Sequence, residues 1–340
     1  MSSYLALRFI ERDDMDFFDE VHHEIIKSLL ENQTVLVDSA DDLDSALQKN
    51  MEKMQGKRVG LFLSGGIDSG ILASYFPKGS KAYTFRFLDG KFQKEELYRA
   101  KFFAEKNQLD LQYVQIDWNS VDACLDVILK RKGSPVHSIE PQIYTAAMQA
   151  KSDGIEYIVT GEGADRIFGG LDKILSQDWT LDDFAKFFTY LSPEKVLKNP
   201  VSMNYIFERY RIDGDKIDFV KFMDEVFARE SSGSYVNSFA IAGMKYFEPY
   251  STLKLKSPFD LSRIRNGESK YLIRGLFARK YPDFPIPEKI PMPRPVDFYF
   301  KNWNGVKRPE FREDIDLSTL TGNQKWQLYC LERFLNLFEG

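Results

Sequence analysis

Two short strings carry most of the chemistry in this sequence. The first, Ser64-Gly65-Gly66-Ile67-Asp68-Ser69, follows the apolar run Val59-Gly60-Leu61-Phe62-Leu63 and precedes Ile71-Leu72-Ala73 at the head of a helix. Paired glycines let a backbone approach a phosphate closely, and loop N–H groups at a helix start form a cradle for an anion. Ser64 and Ser69 add hydroxyl donors. Asp68 would repel a phosphate unless a divalent cation stood between them, so it reads as a Mg²⁺ ligand. No Lys-Ser/Thr follows the glycines, which excludes the Walker-type loop. The second string, Thr160-Gly161-Glu162-Gly163-Ala164-Asp165-Arg166-Ile167-Phe168-Gly169-Gly170, sets Glu162 and Asp165 on a glycine-lined loop. Taken singly, the first is a strand-to-helix turn and the second a solvated acidic helix start. Together they favour a nucleotide site.

The elements that must position these strings alternate. Short apolar runs at 59–63, 82–87, 111–116 and 157–160 predict strands, and 94–106, 121–129 and 142–151 predict helices between them. The helix 94–106 carries Leu97, Ala100, Lys101 and Ala104 on one side. Such alternation predicts an α/β fold with a parallel sheet covered on both faces. Ligands of such sheets bind beyond the strands' carboxyl ends, where loops 64–69 and 161–165 would meet. Upstream, residues 38–54 read as an amphipathic helix behind Asp38-Ser39, with Leu43, Ala46, Leu47, Met51 and Met54 at helical spacing. In the segment 17–30, His22-His23-Glu24 stands out, but adjacent histidines on a helix point about 100° apart and do not converge on one metal. Beyond 180 the pattern is mainly helical, with loops around Pro193, Pro200 and 282–295. The tail sets Trp326, Tyr329, Cys330, Phe334 and Leu337 on one helical face, which reads as core packing.

Composition narrows the class. The 340 residues hold 46 Lys plus Arg against 51 Asp plus Glu, a net charge of −5, which argues against a nucleic-acid binder. With Cys124 and Cys330 as the two cysteines, neither a disulfide framework nor structural zinc is expected. The start Met1-Ser2-Ser3-Tyr4 lacks a signal-peptide layout, and no apolar run approaches the roughly 18 residues of a membrane span. A soluble cytoplasmic protein with no membrane partner is the expectation.

The two strings resemble the synthetase domain of the asparagine synthetase family, whose relatives include β-lactam synthetases and lasso-peptide cyclases. The resemblance runs from about residue 40 to about residue 305. Weaker pieces fall in family order: Tyr83-Thr84-Phe85-Arg86-Phe87, Glu96, Pro135-Val136-His137-Ser138, Lys270-Tyr271-Leu272-Ile273-Arg274 and Arg294-Pro295. The resemblance implies an adenine-nucleotide α-hydrolase-like (PP-loop) sheet over 56–340, after a helical lead-in at 1–55 and ending in a mainly helical part. It implies cleavage of ATP to AMP and pyrophosphate, with a substrate carboxylate adenylated before a nitrogen nucleophile displaces AMP. Ser64, Gly65, Gly66, Asp68 and Ser69 would cradle pyrophosphate, Leu63, Phe85 and Gly161 would complete the nucleotide site, and Asp68 and Asp165 would hold Mg²⁺. Glu162 would be the carboxylate beside the reacting centre, as in the asparagine-synthetase branch rather than the β-lactam synthetases, which carry Tyr there.

Two departures from the family qualify the expectation. Glutamine-using members open on an N-terminal nucleophile domain with Cys at the second position, whereas this chain has Ser2 and about fifty-five residues before its first motif. Its nitrogen would come from free ammonia, from a separate glutaminase or from an amine in the substrate. The family's catalytic lysine follows Arg-Pro, but here the stretch reads Arg294-Pro295-Val296, leaving Lys289, Arg294 or Lys301 to substitute. Arginine keeps charge but cannot act as a proton shuttle. The resulting expectation is an ATP-dependent amide-forming ligase acting on a small-molecule or peptide carboxylate. The alternatives are a nucleotide-binding homologue without turnover and a PP-loop tRNA-modifying enzyme.

Overall fold

The computed structural model describes residues 1–24, 35–90 and 93–339. Its strands are β1 (Val35–Val37), β2 (Val59–Phe62), β3 (Lys81–Phe87), β4 (Asp110–Ile116), β5 (Tyr157–Val159), β6 (Lys245–Phe247) and β7 (Leu253–Leu255). Among the described residues, five of them form one sheet in the order β4-β3-β2-β5-β6, all parallel. The chain runs from β2 outward through β3 to β4, then returns to lay β5 on the other side of β2. That reversal opens a crevice at the carboxyl ends of β2 and β5, where α/β sheets bind ligands. Both predicted loops start there.

Alternating side chains bury both faces. Leu61, Leu63, Ala82 and Val159 point into a core shared with the helices Ala40–Glu52, Ile67–Ala73, Lys94–Lys106 and Tyr271–Lys280. Phe62, Tyr83, Val114 and Ile158 point the other way, toward the helices Trp118–Lys132, Glu140–Ser152, Ala228–Ala242 and Gly322–Phe338. A third, aromatic core around Trp179, Phe184, Phe207 and Phe222 fills the helical region after the second loop. No helix among the described residues is long and apolar enough to cross a membrane.

Several local expectations need correction. Ile71-Leu72-Ala73 closes rather than heads its helix, which begins at Ile67. In Lys94–Lys106 the inward side carries Glu96, Ala100, Phe103 and Ala104, while Lys101 is exposed. Pro193 starts the short helix Pro193–Val196, where its missing N–H costs nothing. His22 and His23 lie outside a helix, and both Nδ1 atoms sit 2.7 Å from the Asp16 carboxylate. The rest of that segment, from residue 25, lies outside the described residues. The stretch 1–55 also contains β1, which pairs in parallel with β7. The strands β6 and β7 had no counterpart in the sequence reading, because three residues are too few to show a period.

Candidate active site

The first loop is shaped by its own side chains. Gly65 adopts φ +77°, and a Cβ there would lie 2.5 Å from the Glu96 carbonyl oxygen, so the loop sits flat on the helix Lys94–Lys106. Ser64 N–H donates to Ser69 Oγ at 3.2 Å, and Ser69 Oγ donates to the Gly66 carbonyl at 3.3 Å. Ser69 is buried, holds the loop from within and also lines the smaller of the site's two cavities. The second loop lies against the first: a Cβ on Gly161 would stand 3.2 Å from Asp68 Cβ.

A lysine fastens the two. Lys270 Nζ donates to Asp68 Oδ2 at 2.6 Å and to Asp165 Oδ1 at 2.7 Å. Lys289 Nζ lies 2.8 Å from Asp165 Oδ2 and donates to the Gly170 carbonyl at 2.8 Å. Gly170 has no room for a side chain, since a Cβ would strike both Asp165 Oδ1 and the Lys270 side chain. Burial would raise Asp165, but Lys270 and Lys289 outweigh it and hold that carboxyl below its ordinary value. Asp68 shifts upward, because burial, helped by the Asp165 charge, exceeds the pull of Lys270. For Lys270 itself, burial is outweighed by the two carboxylates, which keep the ammonium charged.

Two small cavities meet at these residues. One of about 210 Å³ is walled by Ser64, Asp68, Glu96, Asp165, Lys270 and Lys289. The other, about 130 Å³, is walled by Leu63, Phe85, Thr160, Gly161, Glu162 and Tyr235. Ser64, Asp68, Phe85 and Met292 line both. A larger cavity of about 530 Å³ opens at the amino ends of β2 and β3, beside Lys57 and Ser80, away from these loops. Glu162 accepts from the Ser231 hydroxyl, and burial raises its pKa despite that bond. Burial also pushes Glu96 up to about 7.

Leu63, Ser64, Gly65, Gly66, Asp68, Ser69, Phe85, Gly161, Glu162, Asp165 and Lys289 thus converge. Arg294 does not. Its Nε donates to Asn323 Oδ1 at 2.8 Å, and burial followed by the nearby Arg8 brings its pKa down to about 10. Lys301 is exposed, and Val296 is buried among Phe300 and Trp326. Cys124 and Cys330 are both buried, with thiols raised by burial, to about 12 for Cys124. Lys270, Ser231 and Glu248 were not singled out from the sequence. Lys270 stands in a quoted string, but its role exists only once folding brings it to Asp68.

Among the described residues no group of three or more His, Cys, Asp or Glu is arranged to hold a metal. Asp68 and Asp165 form a pair instead, which suits a hard cation that completes its shell with phosphate oxygens and water. Asp68 Oδ1 is buried and lacks a hydrogen-bond partner among the described residues, as an oxygen reserved for such a cation would.

Comparisons with known proteins identify the family. Residues 39–249 match the family described as Asparagine synthase. Over 140 residues the chain is 29% identical to a Methanocaldococcus jannaschii protein named "Putative asparagine synthetase (glutamine-hydrolyzing) 1". That alignment covers 38% of this chain and 24% of the relative, so the chain spans about a quarter of that relative's length. Among solved structures, the U34-tRNA thiolase NcsA from Methanococcus maripaludis is similar at 13% identity and a TM-score of 0.28, covering 74% of this chain and 82% of that one. The NH3-dependent NAD synthetase from Campylobacter jejuni is similar at 12% identity and a TM-score of 0.26, covering 78% of this chain and 100% of that one. Lys270, Lys289, Arg294 and Val296 all lie beyond the matched family region.

Proposed function

This chain belongs to the asparagine synthase family, and from that premise we propose that it is an ATP-dependent amide-forming ligase. A substrate carboxylate would be adenylated with release of pyrophosphate, and the acyl group would pass to ammonia or an amine with release of AMP. A carboxylate resists amines because its oxygen is a poor leaving group, and adenylation supplies a good one. The observation that carries this reading is the Asp68–Lys270–Asp165 bridge at the crevice between β2 and β5. Charge of both signs is concentrated where a triphosphate would lie across the Ser64–Ser69 loop.

Each residue has a task in that scheme. The first loop's backbone and the Ser64 hydroxyl would receive phosphate oxygens. Lys270 and Lys289 would face charge that develops on the phosphates, held in place by Asp165. Asp68 and Asp165 would hold Mg²⁺, which when bound neutralises phosphate charge. Leu63, Phe85 and Gly161 would flank the adenosine side, in the second cavity. Glu162, poised by the Ser231 hydroxyl, would take the proton of the nitrogen nucleophile. The acceptor is a small-molecule or peptide carboxylate, and the nitrogen comes from ammonia, a partner glutaminase or a substrate amine.

One observation favours a second reading, nucleotide binding without turnover: the position after Arg294-Pro295 is a buried valine in an apolar core. One experiment separates the two. The protein is incubated with Mg²⁺-ATP, ammonium and a panel of carboxylates, and the nucleotides are resolved by chromatography. Carboxylate-dependent AMP and pyrophosphate are expected. Substrate-dependent ADP as the sole product rejects the ligase, and bound ATP with no AMP across the panel supports the second reading.

A further inference from the structure

β5 and β6 pair with Val159 opposite Phe247, so the residues after them leave the sheet side by side: Thr160-Gly161-Glu162 from one strand and Glu248 from the other. The Thr160 N–H donates to the Phe247 carbonyl at 3.0 Å and carries the pairing one step further. Gly163 packs on Ser251, where a Cβ would strike the Ser251 hydroxyl. That hydroxyl donates to Glu248 Oε2 at 2.9 Å. Glu248 is 8% exposed, and its Oε1 is buried without a hydrogen-bond partner among the described residues. Thr160 Oγ1, on the wall of the 130 Å³ cavity that Glu162 also lines, is buried and unpartnered too. The wall behind is aromatic: Phe239 stacks on Tyr246 at 4.8 Å and on Tyr235 at 6.4 Å. Two ionised carboxylates side by side in such a setting are costly, whereas one charge shared between them is not.

We propose that Glu162 and Glu248 act as one proton-sharing pair, with Glu248 the positioning residue that leaves the negative charge on Glu162, where the nitrogen nucleophile arrives. The nucleophile's identity rests on the ligase reading above; the pairing does not. The groups facing Glu248 are Glu162, Arg166, Tyr235 and Tyr246. Burial, then the Glu162 charge, push Glu248 up to about 8, against Ser251 and Arg166. Glu248, buried and with Oε1 unpartnered among the described residues, is the poorer place for a charge, whereas Glu162 is half-buried, lines the cavity and accepts from Ser231. The shared proton is therefore assigned to Glu248 and the free base to Glu162. In the transfer step the amine nitrogen bonds to the acyl carbon. The bond from that carbon to the AMP oxygen breaks with its electron pair, and the amine proton moves to Glu162.

The test needs neither nucleotide nor substrate. Full-length protein carrying glutamate labelled with ¹³C in the side-chain carboxyl is titrated by NMR, and difference spectra against Glu162→Gln and Glu248→Gln identify the two resonances. In the unsubstituted protein both resonances should sense the same two pH steps. In Glu162→Gln the Glu248 midpoint should fall by about one pH unit, the size of a lost like charge, and in Glu248→Gln the Glu162 resonance should lose its upper step. Midpoints unmoved by removal of the partner overturn the pairing, as does ordinary-range titration of both. Ser251→Ala leaves both carboxyls in place and serves if either amide variant fails to fold. Loss of its hydroxyl should raise the Glu248 midpoint, and no change would overturn the assignment. Because ATP is absent throughout, failure of the pair and failure of the ligase reading are seen separately.

Discussion

The Lys270 ammonium stands 2.6 Å from the Asp68 carboxylate, 202 positions earlier in the chain. The same ammonium reaches Asp165, so one buried cation holds together two loops that leave neighbouring strands. A divalent cation held as proposed would have to share with or displace this lysine at the same pair of carboxylates.

Asp68→Asn nearly preserves shape but removes one of those charges. Mg²⁺-ATP should bind roughly ten- to a hundredfold more weakly, the worth of one charge-assisted contact. Calorimetric titration of ATP with and without Mg²⁺ checks this. Unchanged Mg²⁺-dependent affinity would remove Asp68 from the cation site.

Lys270→Met leaves the half-buried Asp68 and Asp165 facing each other with less compensation. Losing a charge-assisted bond to partly exposed carboxylates costs about 1–3 kcal/mol, so the melting temperature in EDTA should fall. Added MgCl2 should recover more stability in the variant than in the parent, since the competing ammonium is gone. An equal Mg²⁺ response in both proteins would show that lysine and cation occupy separate places.

Glu96 gives a pH dependence. Its folded pKa, about 7, lies above the unfolded value because burial disfavours the charge. Below the unfolded value both states are protonated and Glu96 costs nothing. As pH rises from there through about 7, the unfolded chain gains by ionising first, and the folded state loses on the order of 1–3 kcal/mol. Glu96→Gln, which cannot ionise, should raise the melting temperature at about pH 8 and leave it nearly unchanged at about pH 4. Equal effects at both pH values would mean the carboxyl is not held neutral.

Glu162→Gln should separate the two half-reactions. Pyrophosphate exchange into ATP should persist, while amide formation falls by roughly two to four orders of magnitude, the usual value of a general base. Equal loss of both would move Glu162 into the nucleotide site beside Asp165. Retention of both would make it a loop residue without a chemical role.

Much of this architecture is legible in the sequence, and the exceptions have physical causes. The Ser64–Ser69 and Thr160–Gly170 strings are local, so their glycines and carboxylates announce a tight loop and a charged one. The predicted helices of the first half match because they run long enough to show their period, and the short strands β2 and β5 match because each is an apolar run ending at a glycine-rich loop. Lys270 and Glu248 were silent because each acquires meaning from a residue far off in the chain: Asp68 for one, Glu162 for the other. Arg294 lines neither cavity, for the converse reason. Its neighbours in sequence resemble a catalytic stretch, but its guanidinium turns to Asn323 on the last helix.

The Gln327 side chain donates to the Tyr4 and Leu5 carbonyls at 3.3 and 3.0 Å, inside a core formed by the Ser2–Leu7 helix and the Gly322–Phe338 helix. During synthesis these partners emerge from the ribosome more than 300 residues apart, an interval of tens of seconds at about 5–20 residues per second. Through that interval Tyr4 and Leu5 lack the last helix that completes their core, so a nascent chain exposes an apolar segment that chaperones can hold. Ribosome-bound chains truncated before residue 322 should leave this segment open to protease even after the parallel sheet has formed.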